Sequence, residues 1–144
     1  MKYSIGIDLG TTNSVISYVE LEGEDAQSLS SEPVTGLLEI SQLTSVGNVE
    51  KKQQLPSFLY LPHDSEINEA ETALPWGSQT SKITGVLARE LGAKTPIRLV
   101  SSAKSWLSHA GVDRKSNFLP LNSPEEVNSV SPLQASIDYL EHLK

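Results

Sequence analysis

The chain predicts an α/β domain, and three observations carry that expectation. Residues 3–21 alternate in strand fashion about a glycine turn, short β-branched or aromatic runs recur up to residue 61, and from residue 80 apolar residues repeat at helical spacing. The length of 144 residues is room for one domain, and 38% hydrophobic against 20% charged residues supplies a core without the composition of a disordered chain.

The first strand alternates around Ile5, Ile7 and Leu9, and the second holds Val15, Ile16, Tyr18 and Val19. With Gly10-Thr11-Thr12 between them, this predicts a β-hairpin closed by a tight glycine turn. Residues 22–34 are acidic and Ser-rich, broken by Gly23 and Pro33, and predict a surface loop. Leu37, Leu38, Ile40 and Leu43 suggest another strand, and residues 51–54 are a polar run ending at Leu55-Pro56-Ser57. Phe58, Leu59, Tyr60 and Leu61 then make a short apolar strand closed by Pro62. Residues 63–72 carry Asp64, Glu66, Glu69 and Glu71 and read as an exposed loop.

The period then changes. Ile83, Val86, Leu87 and Leu91 predict a helix capped by Thr80 or Ser81 and stopped by Gly92. A second helix is expected from Pro96, with Leu99, Val100, Ala103, Trp106 and Leu107 on one face, ending within 108–111. Ser123-Pro124-Glu125-Glu126 and Ser131-Pro132-Leu133-Gln134 are both cap-like, and the second is the better helix start. Its inner or edge face is expected to be Leu133, Ile137, Leu140 and Lys144. No terminating residue follows, so an unfinished helix in a truncated chain is expected.

Charge and composition narrow the function. Eighteen acidic residues against eleven basic give a net charge of −7, which opposes nucleic acid as a general partner. The absence of cysteine excludes disulfides and thiolate metal sites, and three scattered histidines, read as surface residues, form no ligand cluster. No apolar run approaches the roughly 18 residues of a membrane span, and the opening run meets Asp8 too soon for a signal peptide. The expected setting is cytoplasmic, with no membrane partner.

The segment Ile5-Gly6-Ile7-Asp8-Leu9-Gly10-Thr11-Thr12-Asn13-Ser14 is the one most suited to chemistry. A glycine at the turn lets the backbone approach an anion, successive N–H groups can cradle it, and the Thr11 and Thr12 hydroxyls add donors. Asp8 at the strand end faces the same place. A carboxylate beside phosphates is repulsive unless a cation stands between them, which suits hydrated Mg²⁺. A plain hairpin, with Asp8 and Thr11 bonded to local backbone, uses the same residues. The Walker pattern of glycine followed by Gly-Lys is missing. Lys104 falls at the edge of the second apolar stripe, where it is either a snorkelling rim residue or a point charge for a phosphate. Trp76 and Trp106 read as core or cleft-wall residues, since no basic residues interleave with aromatics around them.

The segment Gly6-Ile7-Asp8-Leu9-Gly10-Thr11-Thr12-Asn13-Ser14 resembles the first phosphate motif of the DnaK-type, seventy-kilodalton heat-shock chaperones of the actin, sugar kinase and heat-shock protein superfamily. Leu55-Pro56-Ser57-Phe58 resembles that family's Thr-Pro-Ser-Tyr strand entry, and Ser102-Ala103-Lys104-Ser105-Trp106-Leu107 resembles the helix bearing its catalytic lysine. The resemblance implies a ribonuclease-H-like, actin-like ATPase fold, a mixed sheet with flanking helices, of which residues 1–144 are an N-terminal fragment and an incomplete lobe. It implies ATP and Mg²⁺ as cofactors. Asp8 then holds Mg²⁺ through water, Gly10, Thr11, Thr12 and Asn13 contact the phosphates, and Asp8 and Lys104 form the catalytic pair, with Lys104 assisting γ-phosphate transfer to water. Unfolded polypeptide clients and co-chaperones are the implied partners of a full-length ATPase, the fragment alone being inactive. Ser105 stands where the family commonly has Arg, and residues 23–55 form a longer connection than the family's, expected to be a surface insertion. A sugar kinase of the same superfamily, a nuclease-like use of Asp8, and a non-hydrolysing binding or scaffold relative are the alternatives.

Overall fold

The computed structural model describes residues 2–21 and 35–144. The expected loop at 22–34 lies outside the described residues. In chain order the strands are β1 (Lys2–Leu9), β2 (Asn13–Leu21), β3 (Thr35–Leu37), β4 (Ile40–Ser45), β5 (Asn48–Lys52), β6 (Leu55–Pro56), β7 (Phe58–Tyr60), β8 (Ala73–Leu74), β9 (Gly77–Ser78), β10 (Ile83–Thr84) and β11 (Leu99–Ser101). The helices are α1 (Val86–Lys94), α2 (Ala103–Trp106) and α3 (Pro132–Leu143). The α/β class holds, as several small antiparallel sheets with few helices.

The alternating chemistry of residues 2–21 forms an unbroken hairpin, with register running from Lys2↔Leu21 to Leu9↔Ser14. Across β2 from β1 lie β3, toward the far end, and β6, beside the turn. A second sheet places β7 between β10 and β11. Because successive strand residues point to opposite faces, Leu59 enters a cluster with Val100, Ala103, Leu119, Val130 and Tyr139, whereas Tyr60 enters another with Leu43, Ile83, Leu87 and Ala88. A smaller cluster of Ile16, Ile40, Leu55 and Leu143 joins the first sheet to the end of α3.

The start of α3 is where the cap pattern places it. The Ser131 hydroxyl accepts a bond from the Gln134 N–H at 3.0 Å, with Pro132 in the first turn. Its buried face differs from expectation: Ala135, Ser136, Tyr139, His142 and Leu143 face inward, while Ile137 and Leu140 are exposed. The other cap-like sequence makes only a turn, with the Val127 N–H bonded to the Pro124 carbonyl.

Five further expectations are corrected. Helix α1 begins at Val86, not near residue 81, because Ile83 is used in β10 and the N-terminal Val86 N–H bonds to Gln42 Oε1 of β4 at 3.2 Å. Gly85, at φ 83°, makes that approach possible; a Cβ there would lie 2.7 Å from the same oxygen. Gly92 does not end the helix but lies inside it against Leu99. The single helix expected from Pro96 is instead a short 3₁₀ turn, then β11, then α2, because Val100 pairs with Leu59 and Ser102 takes a left-handed backbone at φ 53°. The polar run near residue 51 belongs to exposed strand β5, which pairs with β4, whose Ile40, Gln42 and Leu43 are buried, so residues 35–55 are not simply a surface insertion. The region 63–72 is likewise not all exposed: Ile67 and Thr72 are buried, and Glu66 accepts a bond from the Tyr60 hydroxyl at 2.8 Å.

Candidate functional site

The turn between β1 and β2 is held from outside the hairpin. Ser57, between β6 and β7, is buried; its hydroxyl donates to the Gly10 carbonyl at 2.8 Å, and its N–H donates to the Thr12 carbonyl at 2.8 Å. Ser14 lies 3.1 Å from the same hydroxyl and is also fully buried. Glycine is required at residue 10, since a Cβ there would overlap the Asn13 carbonyl oxygen. Thr11 and Thr12 are exposed, and half-buried Asn13, alone among residues 10–13, borders a shallow groove of about 690 Å³ shared with Lys52, Gln54 and Arg89.

Asp8 lies opposite Val15 near the end of β1 and is exposed, and Lys104 is the exposed second residue of α2. Two connections relate them. Phe58, next to Ser57, pairs with Ser101, three residues before Lys104. Leu9, next to Asp8, packs against the apolar cluster that contains Ala103, next to Lys104. The turn and the start of α2 are thus anchored to the same strand end and the same cluster. The ion pairs among the described residues are Lys52–Glu50, Lys82–Asp138, Arg89–Glu90 and Arg98–Glu126, so neither Asp8 nor Lys104 belongs to one. Nor does the Asp8 carboxylate or the Thr11 hydroxyl make, among the described residues, the local backbone bond that a plain turn would use.

The described residues contain no group of three or more His, Asp or Glu able to hold a metal ion by themselves. Magnesium needs no such cage: it commonly keeps several waters and takes one or two carboxylates together with substrate phosphates. An exposed carboxylate beside a glycine turn fits that mode.

Sequence reasoning assigned no role to Ser57. The signal available was a small hydroxyl after a proline within an otherwise apolar run, which points to a buried polar group needing a partner. It also placed His142 at the surface, whereas that residue is 6% exposed. Its Nδ1 lies 2.6 Å from Thr84 Oγ1 and 3.1 Å from Gln79 Nε2, and its Nε2 lies 3.0 Å from the Ser41 carbonyl. The carbonyl can only accept, so Nε2 carries the proton and Nδ1 accepts. Burial lowers the His142 pKa, against the opposing pull of the Ser41 carbonyl. Trp76 is exposed and meets this ring edge-on at 5.4 Å, while half-buried Trp106 packs edge-on against Phe118 in the first core.

No protein-family model matches the chain, and no curated protein matches it. No described helix is long and apolar enough to cross a membrane. The residues and their arrangement carry the functional reading.

Proposed function

We propose that the chain is the phosphate-binding first part of a DnaK-type, ATP-dependent chaperone with a ribonuclease-H-like ATPase fold, acting in the cytoplasm on unfolded polypeptides with co-chaperones. The observation that supports this most is the tie through Ser57 and Phe58, which anchors the glycine turn and the chain entering α2 to the same strand end, while Asp8 and Lys104 stay outside every ion pair among the described residues.

In this reading Gly10 lets the backbone approach the phosphates, and Thr11, Thr12 and Asn13 supply N–H and hydroxyl donors. The Asp8 carboxylate accepts hydrogen bonds from metal-bound water. Mg²⁺, when bound, offsets phosphate charge and orients the oxygens. Lys104 brings an ammonium to the charge that develops on the transferred γ-phosphoryl group, which calls for positioning and little covalent chemistry from the protein.

The test is a titration of ¹⁵N-labelled protein with MgATP. The amides of residues 10–13 and 103–105 should shift with a dissociation constant in the millimolar range, about −4 kcal/mol. Asp8→Asn should remove most of the Mg²⁺ dependence of that response. Absence of any response at the turn, or an Asp8→Asn variant with unchanged Mg²⁺ dependence, overturns the reading.

A further inference from the structure

We propose that Ser57 is the positioning residue that presents the turn's N–H groups to phosphate, an inference that rests on the phosphate-binding reading above. Ser57 bonds to three of the five residues from Gly10 to Ser14: to the Gly10 carbonyl at 2.8 Å, to the Thr12 carbonyl at 2.8 Å and to the Ser14 hydroxyl at 3.1 Å. Its own hydroxyl proton is committed to Gly10, so Ser14 is the donor in the third bond.

The consequence follows from peptide geometry. In a planar trans peptide the carbonyl and the following N–H point in opposite directions. Drawing the Gly10 carbonyl toward Ser57 turns the Thr11 N–H away from it, and drawing the Thr12 carbonyl toward Ser57 turns the Asn13 N–H away as well. One buried side chain and its own N–H therefore orient two donors on the opposite side of the turn. A hairpin turn left to itself has no such constraint, and its exposed peptides are free to rotate, with their carbonyls able to face an incoming anion.

The bonds are also long-range. Gly10 and Ser57 are 47 residues apart, so the turn's geometry depends on β6 and β7 being in place. Phe58 pairs with Ser101 in β11. Any shift of β7 relative to β2 is then passed to the turn and to the chain entering α2 together.

The experiment compares Ser57→Ala, Ser57→Thr and Ser14→Ala with the parent chain by amide hydrogen exchange of residues 10–13 and by the same MgATP titration. Ser57→Ala removes the bond to Gly10 and should raise exchange at Thr11 about tenfold and weaken the MgATP response about tenfold, the scale of one buried hydrogen bond. Ser57→Thr keeps the hydroxyl and should restore most of both. Ser14→Ala changes an equally buried hydroxyl but leaves the Gly10 and Thr12 bonds, so a much smaller effect is expected; an equal effect would mean that Ser57 acts only through packing and would overturn the proposal. Parental exchange and parental MgATP response in Ser57→Ala would overturn it too. A parent chain whose turn amides ignore MgATP sinks the phosphate-binding reading, and with it the presenting role, while the exchange measurement separately tells whether Ser57 holds the turn.

Discussion

The first strand of the hairpin, β1, and the β7-centred sheet are built from similar apolar residues and live in opposite environments. Every residue of β1 except Leu9 is exposed, including Ile5 at 66%, yet Leu59 in β7 is at 0%. The hairpin follows local alternation about a turn, and its burial is confined to β2, where Ser14 and Ile16 face the interior. Strand β7 has only three residues and gets its place from cores on both of its faces. The candidate site lies where these two constructions meet, at the Ser57 junction.

The largest contrast should come from truncating one apolar residue in each. Leu59→Ala should cost about 3 kcal/mol, within the usual 2–5 for a buried leucine, because it leaves a cavity between β11 and α3. Ile5→Ala should change stability by less than about 0.5 kcal/mol. Urea unfolding of the two variants measures the difference, and equal losses would mean that the hairpin face is covered in solution.

The next effect concerns the turn. Gly10→Ala would push a methyl group into the Asn13 carbonyl, so the turn must open and the bonds to Ser57 must lengthen. A cost of about 1–3 kcal/mol is expected, as for overpacking elsewhere. Faster amide exchange at residues 11–13, with β7 still protected, would localise the damage to the hairpin side of the junction.

A pH dependence should arise on the buried side. Burial holds the His142 pKa below its ordinary value of 6.5, so the unfolded chain takes up a proton before the folded one does. Stability from this source is therefore complete above about 6.5 and is lost as pH falls through that value toward the folded pKa. Protonation also puts a donor on Nδ1, which faces the Gln79 amide nitrogen at 3.1 Å. The urea midpoint should fall on acidification below pH 6.5, and His142→Gln should flatten that particular slope. An equally steep slope in His142→Gln would assign the effect to other groups.

The smallest stability effect is expected at Lys104. Its side chain is exposed and outside the ion pairs, so Lys104→Met should shift stability by less than about 0.5 kcal/mol. Its MgATP response at residues 103–105 should nevertheless fall sharply. A large loss of stability would show that Lys104 supports the fold rather than a ligand.

Elements with local determinants were legible from the residues alone. The hairpin follows from period-two alternation about Gly10, the short apolar strand at Phe58 from its flanking prolines, and the start of α3 from a hydroxyl cap with proline behind it. In each case the decisive bond or period lies within a few residues. The turn's glycine and Asp8 could be singled out for the same reason, whereas Lys104 was singled out by the edge of an expected helical stripe, of which Leu99 and Val100 are strand, and by the resemblance of residues 102–107.

The tertiary structure decided everything whose partner is far along the chain. Helix α1 starts at Val86 because Gln42 bonds its first N–H, and Leu99 and Val100 are strand rather than helix because β7 offers them a ladder. The inner face of α3 turned from Leu133, Ile137 and Leu140 to Ala135, Tyr139 and His142, the side that meets Leu59, Val100 and the His142 partners Ser41 and Thr84. Ser57 became the anchor of the turn through bonds spanning 47 residues. Local propensities differ by only about 1 kcal/mol or less per residue, whereas burying a side chain contributes about 1.5–3, so a long-range core overrides a local preference wherever the two conflict.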